Sequence, residues 1–210
     1  MISLSVIIPL GPREQSYKPL LSDLIHLPDK TEVVFVGTKD FEPPDINQEY
    51  LEKKLPNLKV AYLTSSIGRG KTMNRGASAA RNRFLWFLHA DSRINPETIA
   101  ALLISIKRYP DSLLYFKLKW LNDGPKYMKI NELGANLRSF FLGLPFGDQG
   151  LCICRDLFYK VGQFDEKSKY GEDHLFIWKI KHHNIPIRST KKSLLTSARK
   201  YKDGNWLKRV

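Results

Sequence analysis

Asp91 stands three residues after an intensely apolar run, Phe84 to Leu88, in the order Phe87-Leu88-His89-Ala90-Asp91-Ser92. An aspartate just beyond a central strand can hold Mg2+ or Mn2+ while phosphate oxygens fill the remaining positions, because Mg2+ is commonly bound by one or two carboxylates plus phosphates. The same side chain can instead cap the turn that follows, a common place for Asp. Upstream lies Gly68-Arg69-Gly70-Lys71-Thr72-Met73-Asn74-Arg75-Gly76, between an expected strand and an expected helix. Its glycines let backbone N–H groups approach an anion, the helix start favours negative charge, and Arg69 and Lys71 add positive charge. It is neither a P-loop nor a dinucleotide fingerprint. Glu172-Asp173 follows Gly171 at a helix start, where acids complement the helix dipole. One of them could also act as a general base toward an acceptor hydroxyl. Gly147-Asp148-Gln149-Gly150 forms a tight polar loop whose Asp148 and Gln149 can grip sugar hydroxyls or simply make a turn. GxSxG and HExxH are absent, against common hydrolase and zinc-protease chemistry. His182-His183, on a basic helix end, reads as solvated.

These residues need a scaffold that brings strand ends together. Leu4 to Pro9, Glu32 to Val36, Leu58 to Leu63 and Phe84 to Leu88 have the short, apolar, β-branched or aromatic character of buried strands. Between and after them, Gln15 to Leu27, Asp45 to Leu55, Gly70 to Asn82 and Asn95 to Arg108 carry helical spacing, the last opened by the N-cap and N1 pair Asn95-Pro96. Leu113 to Trp120 predicts a further strand, Tyr127 to Leu142 a helix, Gly150 to Cys154 a short strand and Gly171 to His183 a helix. The remainder is strand or irregular up to a basic end. Strands alternating with helices call for an α/β fold with a mostly parallel central sheet covered by helices, and in such sheets ligands bind beyond the carboxyl ends of the strands.

The chain has 210 residues, 42% of them hydrophobic and 26% charged, which suits one globular domain. No apolar run reaches the length of a membrane span, and the start, interrupted at Pro9, lacks the basic region of a signal peptide. Cys152 and Cys154, spaced i to i+2, are poorly placed for a disulfide and predict reduced core residues in a cytoplasmic protein. The net charge is +13, and from Lys179 to Val210 there are ten Lys/Arg against the single acid Asp203. That tail reads either as a solvated face or as a patch that docks peripherally on an anionic membrane, close to a lipid-linked acceptor. Its aromatic residues Trp178, Tyr201 and Trp206 are too sparse for a stacking module, so nucleic acid is not an expected partner.

Taken in order, Ser5-Val6-Ile7-Ile8-Pro9, Gly68 to Arg81, Phe84 to Ser92, the Gly147–Gly150 loop and Gly171-Glu172-Asp173 resemble family 2 glycosyltransferases over nearly the whole chain. Within that family the sequence most resembles a small bacterial subgroup reading GRGxxMNxGA, FLHAD, GDQG, ED and TSAR, the last being Thr196-Ser197-Ala198-Arg199 here. The resemblance implies a single GT-A (Rossmann-like) domain: 1–92 a nucleotide-binding half, 93–196 an acceptor and catalytic half, 197–210 a basic tail. It implies a UDP- or GDP-sugar donor, an acceptor of unknown identity, and Mg2+ or Mn2+ at Asp91, which matches the place of the family's DxD. Asp173 matches the base of inverting members, with Glu172 beside it. Pro9 and the loop to Glu14 would border the nucleotide base, and Arg69, Lys71, Asn74 and Arg199 the donor phosphates. Asp148 and Gln149 would orient sugar or acceptor. Two departures stand out. His89 replaces the first acid of the DxD, and Gly37 follows the second strand where the family usually has Asp. They leave the nucleotide open and raise an alternative, a degenerate GT-A domain that binds nucleotide or a partner without catalysis.

Overall fold

The structure, a computed structural model, describes residues 2–11, 14–39, 46–125, 127–168 and 170–201. The loop residues Pro12 and Arg13, the start of the expected second helix at Asp45 and the tail from 202 onward lie outside the described residues. The first strand, β1 (Leu4–Pro9), occupies the middle of the sheet because it can be buried on both faces. Val6 and Ile8 point to one face of the sheet and Ile7 to the other, and each joins a separate apolar cluster. On one side β1 pairs in parallel with β2 (Glu32–Thr38), which pairs in parallel with β3 (Lys59–Ser65). On the other side it pairs in parallel with β4 (Phe84–Phe87).

The helices between these strands divide over the two faces. Leu20 and Leu24 of α1 (Tyr17–Leu24) and Leu51 of α2 (Gln48–Lys54) pack on the Val6/Ile8 face. Met73 and Ala77 of α3 (Arg69–Ala79) pack on the Ile7 face. The contact of α3 with β1 is very close: a Cβ at Gly76 would lie 2.5 Å from Ile7 Cγ2 and 3.1 Å from Val36 Cγ2. Gly76→Ala would gain up to ~1 kcal/mol of helix propensity, yet overpacking a filled core costs ~1–3 kcal/mol. The clash involves two side chains fixed in the central strands, so the variant should be destabilised, read as a lower urea midpoint at unchanged slope.

Beyond β4 the chain forms β5 (Ser92–Arg93) and α4 (Pro96–Arg108). The Asn95 side chain accepts a hydrogen bond from the Thr98 N–H at 2.9 Å, the N-cap expected from Asn95-Pro96. There follow β6 (Leu113–Trp120), α5 (Met128–Leu142), a one-turn 3-10 segment at Gly147–Gln149, β7 (Cys152–Cys154), α6 (Arg155–Lys160), α7 (Glu172–His182) and β8 (Ile187–Thr196). All strands join one eight-stranded sheet in the order β3-β2-β1-β4-β7-β6-β8-β5. The pairs β4–β7, β6–β7 and β5–β8 are antiparallel, and β6–β8 is parallel. The α/β architecture with a mostly parallel sheet is therefore as expected. Cys152 and Cys154 are free and buried within β7.

Candidate active site

The carboxyl ends of β1 and β4 lie side by side, so Pro9 and the His89–Asp91 segment share one edge of the sheet. The 3-10 turn at Gly147–Gln149 crosses this edge, and α3 and α7 direct their first residues toward it. A Cβ at Gly147 would lie 2.3 Å from Arg69 Nη2, 3.1 Å from His89 Nε2 and 3.2 Å from Asp173 Oδ2. Only a residue with no side chain lets those three groups converge. The Gly147 N–H donates to Asp173 Oδ2 at 2.8 Å. Arg69 Nη2 meets His89 Nε2 at 2.5 Å, and Arg69 also forms charge contacts with Glu172 Oε1 at 3.0 Å and Asp173 Oδ2 at 3.9 Å. A guanidinium can only donate, so His89 Nε2 is the acceptor there. Arg69, His89 and Asp173, with Asp148, Arg138 and Lys200, line a cleft of about 670 Å³.

The electrostatics separate the two aspartates of the cleft. Burial pushes the Asp173 carboxyl up, but Arg69, the Gly147 N–H and His174 outweigh it and hold Asp173 below the ordinary aspartate value. Asp148 lies on the other side of that value: burial raises it, and Asp173 raises it further, against the pull of Lys200, Arg69 and Arg138. Pairs of acids whose environments push their pKa values apart are suited to different roles, and the ionised partner here is Asp173. His89 is held well below the usual imidazole range by burial, then by the positive charges of Arg69 and Lys200. It is therefore neutral where it accepts from Arg69.

Asp91 adjoins this cluster. Burial raises its carboxyl, Lys200 and Arg199 oppose that rise, and Glu14 adds to it. The segment after Asp91 is fixed from two sides. Arg93 makes a bidentate pair with Asp23 of α1 at 2.6 and 2.8 Å, and the Ile94 N–H donates to the same carboxylate. Just past β8, the Ser197 N–H donates to the Asp91 carbonyl at 3.2 Å. The Thr196–Arg199 motif is held by Asp123, which accepts from Ser197 Oγ and the Ala198 N–H. Arg199 does not reach out alone: its Nη2 donates to Glu14 Oε1 and Oε2 at 2.6 and 2.8 Å, so two residues expected to serve the donor separately form one pair.

Among the candidates from the sequence, Arg69, Asp148 and Asp173 line the cleft, Glu172 pairs with Arg69, Asp91 has Glu14 and Arg199 for neighbours, and Pro9 ends β1 at the same edge of the sheet. Lys71 and Asn74 do not: both line a separate shallow groove with Ser65, Arg75 and Glu166. The Asn74 amide is consumed by the Phe164 carbonyl and N–H and by Glu166. Gln149 is withdrawn from contact with sugar hydroxyls, being fully buried, donating to the Phe116 carbonyl and accepting from Ser139 and the Phe146 N–H. Gly37 also has a steric explanation. A Cβ there would lie 2.5 Å from Tyr62 Oη, so the Tyr62 phenol fills the space an acid would need. Arg138, Phe146, His174 and Lys200 were not among the candidates. Arg138 stacks 3.3 Å over the Phe146 ring, which in turn lies 3.5 Å from the His174 ring. Nothing in their spacing marks them, whereas Asp123 could have been found from the turn signal Asn122-Asp123-Gly124-Pro125. Among the described residues no group of three or more His, Cys, Asp or Glu side chains converges on a metal position.

Against known proteins, the model of glycosyl transferase family 2 matches residues 5–163. Among curated proteins the chain is 30% identical over 186 residues to the poly(ribitol-phosphate) beta-N-acetylglucosaminyltransferase TarS of Staphylococcus aureus strains Mu50 and MW2. That match covers 85% of this chain but 32% of the relative, so the chain spans about a third of the length of the curated relatives it matches. The crystal structure of S. aureus TarS superposes with a TM-score of 0.71 at 27% identity, covering 93% of this chain and 37% of that one. A shorter form of TarS in complex with UDP-GlcNAc superposes at 0.65 and 25% identity, over 93% of this chain and 58% of that one.

Proposed function

The chain belongs to glycosyl transferase family 2, and from that premise we propose that its cleft moves a sugar from a nucleotide-sugar donor to an acceptor hydroxyl with inversion at the anomeric carbon. The observation that carries this reading is the ionised Asp173 on the cleft wall, kept charged by Arg69 and the Gly147 N–H. Asp173 takes the proton of the acceptor hydroxyl, and the oxygen attacks the anomeric carbon from the face opposite the diphosphate. The bond from that carbon to the diphosphate oxygen breaks, and its electron pair leaves with the nucleotide. A positioned base of this kind contributes roughly 10²–10⁴-fold in rate. Arg69 orients Asp173 instead of binding phosphate, and neutral His89 spends its Nε2 lone pair on Arg69. Asp148, whose carboxyl burial pushes above the ordinary aspartate value, lines the same cleft and can bond a sugar hydroxyl.

Asp91 supplies one carboxylate of the hard oxygen type a divalent cation takes alongside phosphate oxygens. Its carboxylate is desolvated, with Glu14 as a second negative charge nearby, so a cation gains there. Asp91 and the donor's diphosphate oxygens would hold Mg2+ or Mn2+, and the ion would neutralise charge on the departing diphosphate. Lys200, which acts on His89, Asp91 and Asp148 together, and Arg199 supply further positive charge on that side. The donor nucleotide is read as UDP, because a structural neighbour is described in complex with UDP-GlcNAc and another with UDP. Tyr62, covering Gly37, gives the base site a different wall from one lined by an acid.

Thermal denaturation with UDP- and GDP-sugars, with and without Mn2+ or Mg2+, tests the donor half. Nucleotide release tests turnover. The expected result is stabilisation by a UDP-sugar only when the cation is present, with slow UDP release. Stabilisation without release for any donor and acceptor would favour the non-catalytic alternative. No stabilisation by any nucleotide would remove the reading.

A further inference from the structure

α5 is inside out. Most of its polar side chains face the protein, where they satisfy the part of β6 that runs beyond its pairing with β7: Asn136 accepts from the Leu118 N–H and donates to the Leu118 carbonyl, at 2.8 and 2.9 Å, and Glu132 accepts from the Trp120 N–H at 2.9 Å. Asn131 accepts from Trp120 Nε1, and Ser139 hydrogen-bonds to Gln149. Its apolar stripe points outward, with Ile130 at 73% exposure, Phe140 at 73%, Phe141 at 72%, and Leu133 and Leu137 also exposed. The usual surface helix has the opposite arrangement, and a contiguous exposed apolar face of this size marks an interaction site. The patch continues onto α7. Lys181 Nζ donates to the Leu142 carbonyl at 2.8 Å and lies 5.4 Å from the ring centre of Trp178, itself 58% exposed.

The charge around the patch selects the occupant. Lys129, Lys181, His182 and His183 are exposed at its rim. The one acid of α5, Glu132, is turned inward, and the acids of α7, Glu172 and Asp173, face Arg69. A second copy of the chain would set Lys129 and Lys181 against themselves in a two-fold contact, with no acid of α5 or α7 turned outward to pair them. An anionic bilayer offers an apolar interior under a negatively charged surface, and a Trp with flanking Lys suits that boundary. With 15 residues, α5 is about 22 Å long, shorter than the ~30 Å hydrocarbon layer, so it would lie in the surface plane and not cross it.

We propose that the apolar face of α5, with Trp178 and Lys181 of α7, is a docking surface for an anionic lipid bilayer. The same helix lines the cleft through Asn131, Gly134 and Arg138, so the cleft mouth would open at the lipid surface and receive an acceptor carried there. This deepens the transfer reading by naming where the acceptor arrives, and its test needs neither donor nor acceptor.

The full chain is floated with vesicles of phosphatidylcholine, and of phosphatidylcholine containing phosphatidylglycerol. The wild type should float with the anionic vesicles and much less with the neutral ones. Phe140→Asp with Phe141→Asp, both at exposed positions and checked for folding by circular dichroism, should weaken anionic-vesicle binding at least about tenfold, and Trp178→Ala should weaken it less. Three outcomes would overturn the proposal: undiminished flotation of the double variant, as a basic tail acting alone would give; no flotation of the wild type; or a wild-type dimer in dilute solution without lipid that the double variant abolishes.

Discussion

Asp173→Asn is expected to lower the transfer rate by roughly 10²–10⁴-fold, the range a positioned general base supplies, with donor affinity nearly unchanged. Asparagine keeps the shape of the side chain and can still accept the Gly147 N–H, which the aspartate accepts at 2.8 Å. It loses the charge that Arg69 holds and the ability to take the acceptor's proton. Donor affinity should be spared because the diphosphate side of the proposed site centres on Asp91. The pH dependence follows from the direction of the shift. Asp173 is held below 3.8, so the base stays ionised as pH falls past the ordinary aspartate value, and the acid limb of kcat lies below it. Arg69→Ala should move that limb upward, because burial, the largest influence on Asp173, would then be less opposed. Single-turnover rates against pH for wild type, Asp173→Asn and Arg69→Ala check both expectations. Full transfer by Asp173→Asn would reject the assignment.

The reach of the sequence can be judged at particular residues. Asn95-Pro96 announced α4, because a cap is a local event that needs only neighbouring side chains. The apolar run at Phe84 announced the central strand, and with it Asp91 at a strand end. By contrast, the sequence of β8 reads equally as strand or irregular chain: Lys191 has φ 65° and the register with β6 shifts between Tyr115 and Lys117. Such an irregularity breaks the alternation that marks a strand. The hub of the site was illegible for a different reason. Arg69 lies far from Asp173 along the chain, and what brings them together is the packing of α3 and α7 on the same face of the sheet as Ile7. A cation between two glycines has the local marks of a phosphate ligand, and the buried Glu172 that faces it in the fold has no local mark at all. Gln149 shows the same limit: a polar residue in a tight loop is usually exposed, and here it is buried and hydrogen-bonds to β6 and α5. For α5, helical periodicity was plain, but periodicity does not say which face turns inward.

Asp91→Ala should abolish the cation-dependent stabilisation by donor and reduce transfer by about a hundredfold or more, since a bound cation supplies several kcal/mol of charge stabilisation and each 1.36 kcal/mol is tenfold. The competing expectation is that Lys200 and Arg199 carry the diphosphate unaided, in which case removing a desolvated carboxylate beside them would tighten donor binding. The sign of the change in affinity therefore decides between a cation held at Asp91 and a purely cationic protein site. The measurement is a donor titration at several Mn2+ concentrations for wild type and variant. A second readout separates Asp91 from Asp173 within the wild type. Asp91 is raised above 3.8 by burial, with Glu14 adding to the rise. Cation-dependent donor affinity should thus fail at a higher pH than the chemical step does. On acidification donor binding weakens first, through Asp91, while the base remains charged. If both limbs coincided, or if Asp91→Ala kept its response to Mn2+, the cation would have to sit elsewhere.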